Sequence, residues 1–412
     1  MNSNTDDRTL VYLEYEPDQI YYINGFKKKD IENYLVDSWS PTGLYALWDD
    51  FDLIFKKTNK IPETEKFYYP IPVSKWEVRE IFHKVEINSQ IIEKVKSGQC
   101  KIILVNPFEG WTWSWWNNLA SILKEKFGLD SKDIIFLSAN YYPNNEYSTI
   151  VFNTWEKQIY SNYSTKEHLD RSLVSVGKSR PYSFICLNRR PSIHRYSVVT
   201  QLFKYKKYGI LTCAKTGSYS EWYQNWVEEN FLTEYPELAD IYKKEIKPEL
   251  PLTYDDGINP EVDNPASNEW GKVDKYYQSY LYVVTETFFE GKAQGENTLF
   301  LSEKIFKPIV FFQPFVVFGR PGTIKLLNSL GYKTFGEYID ESYDLIEDDK
   351  KRMYAAIKSI KRFIKIPPER KRILMRKMQS LFMHNYSRLK ENHDFNIYNR
   401  LRHDLSNTLN GK

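Results

Sequence analysis

A predicted helix start in the second half of the chain carries two lysines. An apolar run over residues 280–284 predicts a buried strand, and Ser302, a favourable N-cap residue, marks where the next helix begins. Lys304 and Lys307 are three residues apart, so they share one face of that helix. There they add full positive charge to the backbone N–H groups and the positive end of the helix dipole. The group suits a bound diphosphate, although an ordinary solvated first turn fits the same residue types.

Two glutamates lie beside these lysines in the sequence. Glu286 comes directly after the predicted strand, and Glu303 is the first residue of the predicted helix. A diphosphate would repel a carboxylate, whereas carboxylate oxygens readily accept hydrogen bonds from hydroxyl groups. We therefore expect Glu286 and Glu303 to bind ribose or sugar hydroxyls. Pro308 lacks an N–H group and clashes with the preceding turn, so this helix is predicted to be short or kinked.

A pair of arginines follows another predicted strand, over residues 181–188. Arg189 and Arg190 are expected at the edge of the sheet, and no G-x-G-x-x-G motif follows them to bind phosphate through the backbone. Guanidinium groups pair bidentately with phosphate oxygens. Together with Lys304 and Lys307 they would neutralise a nucleoside diphosphate without a metal. The alternative is that both arginines are simply solvated.

Glu109 has the corresponding position in the first half of the chain. Residues 101–106 form an apolar, strand-like run, and the chain then turns at Gly110 with Trp111 and Trp113 close by. A carboxylate that these rings partly desolvate would have a raised pKa and could accept a proton from a hydroxyl group. A turn glutamate in water, beside tryptophans that only fill the core, is the alternative.

Metal chemistry has little support in the sequence. The triplet Asp50-Phe51-Asp52 matches the D-x-D motif of metal-dependent transferases, but such triplets are frequent by chance and no suitable strand precedes this one. The six histidines show neither H-x-x-x-H nor H-E-x-x-H spacing. We therefore predict no metal site and no cofactor apart from a nucleotide co-substrate.

Three sequence motifs occur in an order that resembles the motifs of a known family. They are Asn188-Arg189-Arg190-Pro191, then Ser302-Glu303-Lys304 downstream of Glu286, and finally Glu341-Ser342-Tyr343-Asp344. The arrangement, over roughly residues 180–350, resembles the donor site of GT-B glycosyltransferases, especially the fucosyltransferase-like group. It is also similar to viral and bacterial glycosyltransferase-like proteins. Thr287-Phe288 replaces the Asn-Ser of the fucosyltransferases, so the identity of the donor does not carry over.

The resemblance implies a hexosyl- or pentosyltransferase that moves a sugar from a nucleoside diphosphate donor to a hydroxyl. Arg189, Arg190, Lys304 and Lys307 would neutralise the diphosphate, and Glu109 would be the base in a metal-independent, inverting reaction. Because the similar sequences include viral ones, a hydroxymethylated pyrimidine in viral DNA is one acceptor to consider, and a glycan or a protein is the other. The competing class is a non-catalytic, carbohydrate-binding, virion-associated protein.

The alternation of predicted strands and helices indicates an α/β protein. A chain of 412 residues exceeds what a single core supports, so two domains are expected. Strands 101–106 and 133–140 enclose helix 115–127, and strands 181–188 and 210–214 enclose helix 193–208. Together with the resemblance, these units predict two Rossmann-like domains facing each other across a cleft. The predicted ranges are 1–165 for the acceptor-side domain, 180–350 for the donor domain and 351–412 for C-terminal helices that pack back.

The composition favours a folded protein with nearly balanced charge. Hydrophobic residues form 42% of the chain and aromatic residues 16%, which excludes a disordered polymer. The net charge of +3 does not by itself indicate nucleic acid, so a DNA partner depends on a local basic stretch. That stretch contains Lys350, Lys351, Arg352, Lys358, Lys361, Arg362 and Lys365. A leader pattern and a long apolar run are both missing from the sequence. We therefore expect a cytoplasmic protein without a membrane span, in the host cytoplasm if it is viral.

Overall fold

A computed structural model of the chain describes residues 10–13, 55–58, 60–72, 87–106, 110, 112–141, 146–215, 220–253, 273–290, 298–392 and 397–409. The chain divides into two compact units. The first comprises Met1–Thr154, Glu296–Phe300 and Asp394–Lys412, and the second comprises Trp155–Gly295 and Leu301–His393. Each unit is built on its own parallel β-sheet, which confirms the predicted α/β class with two Rossmann-like folds.

Strands and helices alternate along most of the described chain. The strands are β1 (Leu10–Leu13), β2 (Phe55–Thr58), β3 (Phe67–Pro72), β4 (Cys100–Asn106), β5 (Ile134–Ser138), β6 (Asn140–Tyr141), β7 (Ser148–Val151), β8 (Tyr182–Cys186), β9 (Gly209–Leu211), β10 (Ser279–Thr285), β11 (Leu299–Phe300) and β12 (Phe315–Phe318). The α-helices are α1 (Ser89–Lys96), α2 (Trp113–Phe127), α3 (Thr154–Tyr163), α4 (Lys166–Val176), α5 (Ile193–Leu202), α6 (Glu221–Glu234), α7 (Ala239–Ile241), α8 (Val273–Tyr277), α9 (Glu303–Val310), α10 (Thr323–Ser329), α11 (Asp349–Ile364), α12 (Pro368–Lys377), α13 (Gln379–Glu391) and α14 (Ile397–Leu409).

The sheet of the first unit has the strand order β2-β1-β3-β4-β5-β7, and its described pairs are all parallel. β4 and β5 read CKIILVN and IIFLS and are buried almost throughout, as expected for strands covered on both faces. α2 follows β4 and ends at Gly128, whose φ of 68° lets its N–H reach the carbonyl of Lys124. The predicted helix with its glycine stop is confirmed, and it begins two residues early, at Trp113.

The sheet of the second unit has the order β12-β10-β8-β9, and all its described pairs are parallel. β10 has a neighbour on each side, and all seven of its residues are buried. Gly209 begins β9 beside Phe184 of β8. A Cβ atom at this position would lie 2.4 Å from the Phe184 ring, so a glycine lets the two strands pair. Because the four strands run the same way, their carboxyl ends meet at one edge, where α/β proteins bind ligands.

The helix between β8 and β9 differs from the prediction. One helix was expected over residues 193–208, but α5 ends at Leu202 and a 3₁₀ helix covers Phe203–Tyr208. Phe203 is buried while Lys204, Lys206 and Lys207 are exposed. Either type of helix satisfies that pattern, so the sequence did not distinguish them.

The expectation of a short helix at Pro308 is confirmed. α9 has eight residues and ends at Val310, two residues after the proline. The chain then turns sharply at Phe312, which has a φ of 52°, and the Gln313 N–H donates to the Pro308 carbonyl at 2.9 Å. This compact ending sends the chain directly into β12.

The change from the first unit to the second falls at Thr154, whereas the predicted ranges 1–165 and 180–350 place it within the polar stretch 161–180. That stretch contains α4, which buries Ser172, Ser175 and Val176. It is therefore an amphipathic helix of the second unit, and its polar composition reflects its exposed face.

The helical C-terminal region is divided between the units. The paired prolines separate two helices, since α11 ends at Ile364 and α12 begins at Pro368. The range 351–412 is not a separate body, because α11, α12 and α13 belong to the second unit and α14 to the first. In α14, Leu401 and Leu405 are buried, and the Leu405 carbonyl accepts a hydrogen bond from the Tyr68 hydroxyl of β3.

Candidate functional site

Glu286 lies at the carboxyl end of β10 and is only 1% exposed. Its Oε1 accepts a hydrogen bond from the Ser302 N–H at 3.2 Å. Its Oε2 accepts from the Ser302 hydroxyl at 2.6 Å and from the Thr287 N–H at 3.2 Å. Burial raises the pKa of this carboxyl, and Lys304 and the Ser302 donors oppose the rise. Glu286 therefore holds the start of α9 and does not present its oxygens to solvent.

Ser302 connects Glu286 to Lys304. Its hydroxyl accepts a hydrogen bond from the Lys304 N–H at 3.3 Å, so Ser302 is the N-cap of α9, as predicted. The same oxygen accepts from Lys304 Nζ at 3.1 Å. Lys304 Nζ also lies 2.9 Å from Glu303 Oε1, and the Lys304 side chain is 20% exposed. Lys304 is thus a partly accessible cation at the helix start.

Glu303 and Lys307 form a buried charged group with Lys304. Burial alone would raise the pKa of Glu303, but attraction to Lys304 and Lys307 outweighs it and lowers the pKa to about 2. Burial lowers the pKa of Lys307 to about 8, and Glu303 opposes that change. The side chain of Lys307 is 1% exposed, so it supports Glu303 from inside the unit and does not stand beside Lys304 at the surface.

Asn188, the first residue of the N-R-R-P block, ties three strand ends together. Its N–H donates to the Thr212 hydroxyl at 3.1 Å, and its Nδ2 donates to the Thr212 carbonyl at 3.2 Å. Its Oδ1 accepts from the Thr285 hydroxyl at 2.7 Å. Thr212 follows β9 and Thr285 ends β10, so Asn188 fixes the loop after β8 against both neighbours. This role of Asn188 is not encoded in the local sequence, because its partners lie 24 and 97 residues away.

Two residues in the first turn of α5 hold the loop that carries the arginines. Arg195 donates to the carbonyls of Arg190 at 3.0 Å and Thr285 at 3.3 Å. The His194 Nε2–H donates to the carbonyl of Glu286 at 3.1 Å, and burial lowers the pKa of this imidazole. Sequence reasoning gave neither residue a role. The available signal was a pair of basic residues at the start of a helix that is otherwise largely apolar.

Arg189 and Arg190 follow β8 at the carboxyl edge of the sheet, as predicted. Arg190 is exposed and Arg189 is half-buried. β8 and β10 are parallel neighbours, so this loop and Glu286 lie at the same edge. The residues predicted to bind the donor therefore gather there, namely Arg189, Arg190, Glu286, Ser302, Glu303, Lys304 and Lys307. The structure further separates them into accessible cations and buried residues that hold those cations in place.

Glu109, the predicted base, lies outside the described residues, as do Trp111 and the Asp50-Phe51-Asp52 triplet. Trp113 is half-buried and stacks on Phe136 with ring centroids 6.4 Å apart, so it packs in the core of the first unit. The role of Glu109 stays a prediction.

The Glu341-Ser342-Tyr343-Asp344 block braces the second unit. Glu341 accepts hydrogen bonds from the Phe335 N–H at 2.7 Å and the Thr334 hydroxyl at 2.8 Å. The Tyr343 hydroxyl accepts from a backbone N–H of β12 at 3.0 Å. The Asp344 carboxylate accepts from two N–H groups in the first turn of α10, at 3.0 and 3.1 Å. A protein carboxylate thus occupies the N-terminus of α10, a position that would otherwise favour a ligand anion.

The basic stretch predicted to follow a DNA backbone is partly engaged within the protein. Arg352 is 2% exposed and donates to the carbonyls of Phe289 at 2.6 Å and Gly319 at 3.2 Å. Lys350 donates to Glu237 at 2.9 Å, and Arg362 lies 2.9 Å from an Asp340 oxygen. Arg352 in particular cannot contact DNA, because its guanidinium holds two loops at the carboxyl edge of the sheet.

Among the described residues, no group of three or more His, Cys, Asp or Glu side chains could hold a metal ion. No helix in the described ranges is long and apolar enough to cross a membrane.

These observations define an α/β protein of two Rossmann-like units with a cation-bearing strand edge in the second. No family model matches the chain, and no curated protein matches it. Among solved structures it is similar to the N-terminal domain of trehalose-6-phosphate phosphatase from Candida albicans, with 11% identity and a TM-score of 0.42 over 95% of this chain and 78% of that one.

Two UDP-forming α,α-trehalose-phosphate synthases are similar at the same level. The one from Burkholderia vietnamiensis has 10% identity and a TM-score of 0.42 over 94% of this chain and 81% of its own. The one from Burkholderia xenovorans, in complex with glucose-6-phosphate, has 9% identity and a TM-score of 0.39 over 95% and 81%. Likenesses this weak carry no argument about the activity of this chain.

Proposed function

We propose that this protein is a glycosyltransferase with a nucleoside diphosphate sugar as its donor. The observation that carries the proposal is the set of hydrogen bonds that links the Arg190 loop to Lys304. It runs from the Arg190 carbonyl through Arg195 to the backbone at Glu286, and from the Glu286 carboxylate through Ser302 to Lys304. Fixed cations at one strand edge suit a diphosphate leaving group, because they need no rearrangement as its charge develops.

In the proposal, some of the predicted donor residues contact the donor and others hold those residues in place. Arg189 and Arg190 bind phosphate oxygens through their guanidinium groups, and Lys304 Nζ adds a point charge. Glu303 is ionised because its pKa is about 2, and it orients Lys304. Its carboxylate also accepts a hydrogen bond from a hydroxyl group of the ribose or the donor sugar. Glu286 is a positioning residue, because its carboxylate is buried and already accepts three hydrogen bonds.

The proposed reaction is a direct displacement at the anomeric carbon. The acceptor oxygen forms a bond to that carbon as its bond to the diphosphate breaks, and the nucleoside diphosphate leaves toward the cations. Glu109 takes the proton of the acceptor hydroxyl. One displacement inverts the configuration of the sugar, and the fixed cations take the place of a metal.

The proposed acceptor is a hydroxyl group of a glycan or a protein. We do not extend the proposal to a hydroxymethylated pyrimidine in DNA, because Arg352, Lys350 and Arg362 of the basic stretch contact other groups of the protein. Glycosyl transfer also separates this proposal from a non-catalytic carbohydrate-binding protein.

The test is a thermal-shift screen against nucleoside diphosphates, followed by a transfer assay. A ligand that binds only the folded state stabilises it by about 2.7 kcal/mol at 100 times its Kd. We expect one base to give the largest shift, and the matching nucleotide sugars to release that diphosphate in the presence of an acceptor. If no nucleoside diphosphate raises the melting temperature, the donor site is wrong. If one binds and no sugar is transferred or released, the protein is a binding protein.

A further inference from the structure

A cavity of about 500 Å³ lies where α11 meets α12, away from the strand edge that carries the proposed donor site. We call this region the α11–α12 corner, and its defining residues are Arg362, Lys365, Ile366, Arg370, Ile373 and Leu374. Three are cationic and three are aliphatic. Ile373 is 50% exposed, so this corner presents an aliphatic side chain to solvent among its cations.

Buried residues on the opposite face of α12 fix the direction in which Arg370 and Ile373 point. Lys371, the residue after Arg370, is 3% exposed and donates to the Ser183 hydroxyl of β8 at 2.7 Å and to the carbonyl of Ile364 at 2.9 Å. Met375, four residues later, is fully buried. Since residues four apart share a helix face, Arg370 and Ile373 are held outward on a helix anchored to the sheet.

The charge around the corner is strongly positive. Lys361 is half-buried, and its pKa is lowered by burial and then by repulsion from Lys204 and Lys365, which places three ammonium groups close together. Arg372 on α12 is exposed as well. Of the carboxylates here, Glu369 belongs to the first turn of α12, and Asp340 pairs with Arg362 of the cavity wall. The corner therefore attracts anions.

The aliphatic side chains indicate which kind of anionic partner this corner binds. A nucleic-acid backbone is bound by cations and polar groups, and stacking on bases uses aromatic rings. Here Ile373 is exposed and Ile366 and Leu374 are half-buried, all of them between cations. Apolar side chains among cations are typical of surfaces that lie on a membrane, where the apolar side chains enter the acyl boundary and the cations meet anionic headgroups. We propose that the α11–α12 corner docks the protein on an anionic lipid membrane.

The test is co-sedimentation of the full chain with vesicles of phosphatidylcholine, alone or mixed with phosphatidylserine. We expect binding to the mixed vesicles that weakens with salt, and little binding to phosphatidylcholine alone. Lys365→Glu combined with Arg370→Glu should weaken partitioning by at least about 30-fold, since each cation near an anionic surface contributes about 1 kcal/mol. Ile373→Ser should weaken it about fivefold by removing the apolar contact.

Matched controls use exposed positions elsewhere. Lys124→Glu combined with Lys132→Glu makes the same change in net charge in the first unit, and Leu345→Ser removes another exposed aliphatic side chain. Both should bind like the wild type. Equal loss in these controls, or no binding to mixed vesicles, would overturn the proposal. Binding to duplex DNA that depends on Lys365 and Arg370 but not on Ile373, without vesicle binding, would assign the corner to nucleic acid instead.

Discussion

Replacement of Glu286 by glutamine tests whether this carboxylate positions α9 or binds substrate. The carboxylate accepts hydrogen bonds from two N–H groups and one hydroxyl. A glutamine has one acceptor oxygen. If that oxygen keeps the Ser302 hydroxyl and the Thr287 N–H, the glutamine NH₂ group must face the Ser302 N–H, donor against donor.

The expected loss of stability follows from this contact between two donors, the glutamine NH₂ group and the Ser302 N–H. Losing a hydrogen bond to a charged acceptor and leaving a buried N–H without one costs about 1.5–3 kcal/mol. Burial raises the pKa of Glu286, so removing its charge relieves some desolvation, and we expect a net loss of about 2 kcal/mol in the free energy of unfolding. For domains of 150–250 residues this lowers the melting temperature by about 4–8 °C. Loosening of Ser302 should also weaken binding of a nucleoside diphosphate about tenfold.

The assay combines urea unfolding with calorimetry on Glu286→Gln. Glu341→Gln is the matched control, because the Glu341 carboxylate also accepts from a hydroxyl and a backbone N–H through its two oxygens but braces a different part of the unit. It should lose stability and keep nucleotide affinity. Suppose instead that Glu286→Gln unfolds like the wild type yet no longer binds the donor sugar. The carboxylate would then contact substrate, and the positioning role would be refuted.

Four further predictions concern the proposed site. Arg190→Ala and Lys304→Ala should each weaken binding of a nucleoside diphosphate at least about tenfold, or ~1.4 kcal/mol, and unchanged calorimetric affinity in both variants would remove the donor-site assignment. Transfer activity should survive excess EDTA, and a loss that manganese reverses would favour the D-x-D triplet. Glu109→Gln should keep nucleotide binding while turnover falls about 100-fold or more, and near-normal turnover would place the base elsewhere. Glu303→Gln should destabilise the protein by about 3 kcal/mol at pH 7, since the pKa of Glu303 is about 2. Because the unfolded chain binds more protons between pH 4.5 and 2, this difference should shrink as the pH falls through that range, and a pH-independent difference would contradict the charge assignment.

The strand–helix–strand units could be predicted because each is local in sequence. Uninterrupted apolar runs such as IIFLS mark buried parallel strands, and Gly128 marks the end of α2. The division of the chain could not be predicted in the same way. α14 joins the first unit through contacts such as that of Leu405 with Tyr68, more than 300 residues away in the sequence. No local pattern encodes a contact over that separation.

The candidate site shows the same limit. The strand ends before Arg189 and Glu286 and the N-cap at Ser302 lie where they were predicted, because these features depend on neighbours in sequence. The three-residue spacing correctly put Lys304 and Lys307 on one helix face, but it could not show that Lys307 is buried. Arg195 was missed for a related reason. An arginine that binds three backbone carbonyls inside the protein has the same sequence signature as one in water.

The composition of the first unit has a consequence for how the chain folds during synthesis. N-terminal domains usually fold first as they leave the ribosome. Here the first unit also needs β11 and α14, whereas the second unit is complete at residue 393. Until α14 emerges, the buried Tyr68 hydroxyl lacks its carbonyl partner, and the sites that Leu401 and Leu405 fill stay open. The unit that is translated first is therefore the last to close.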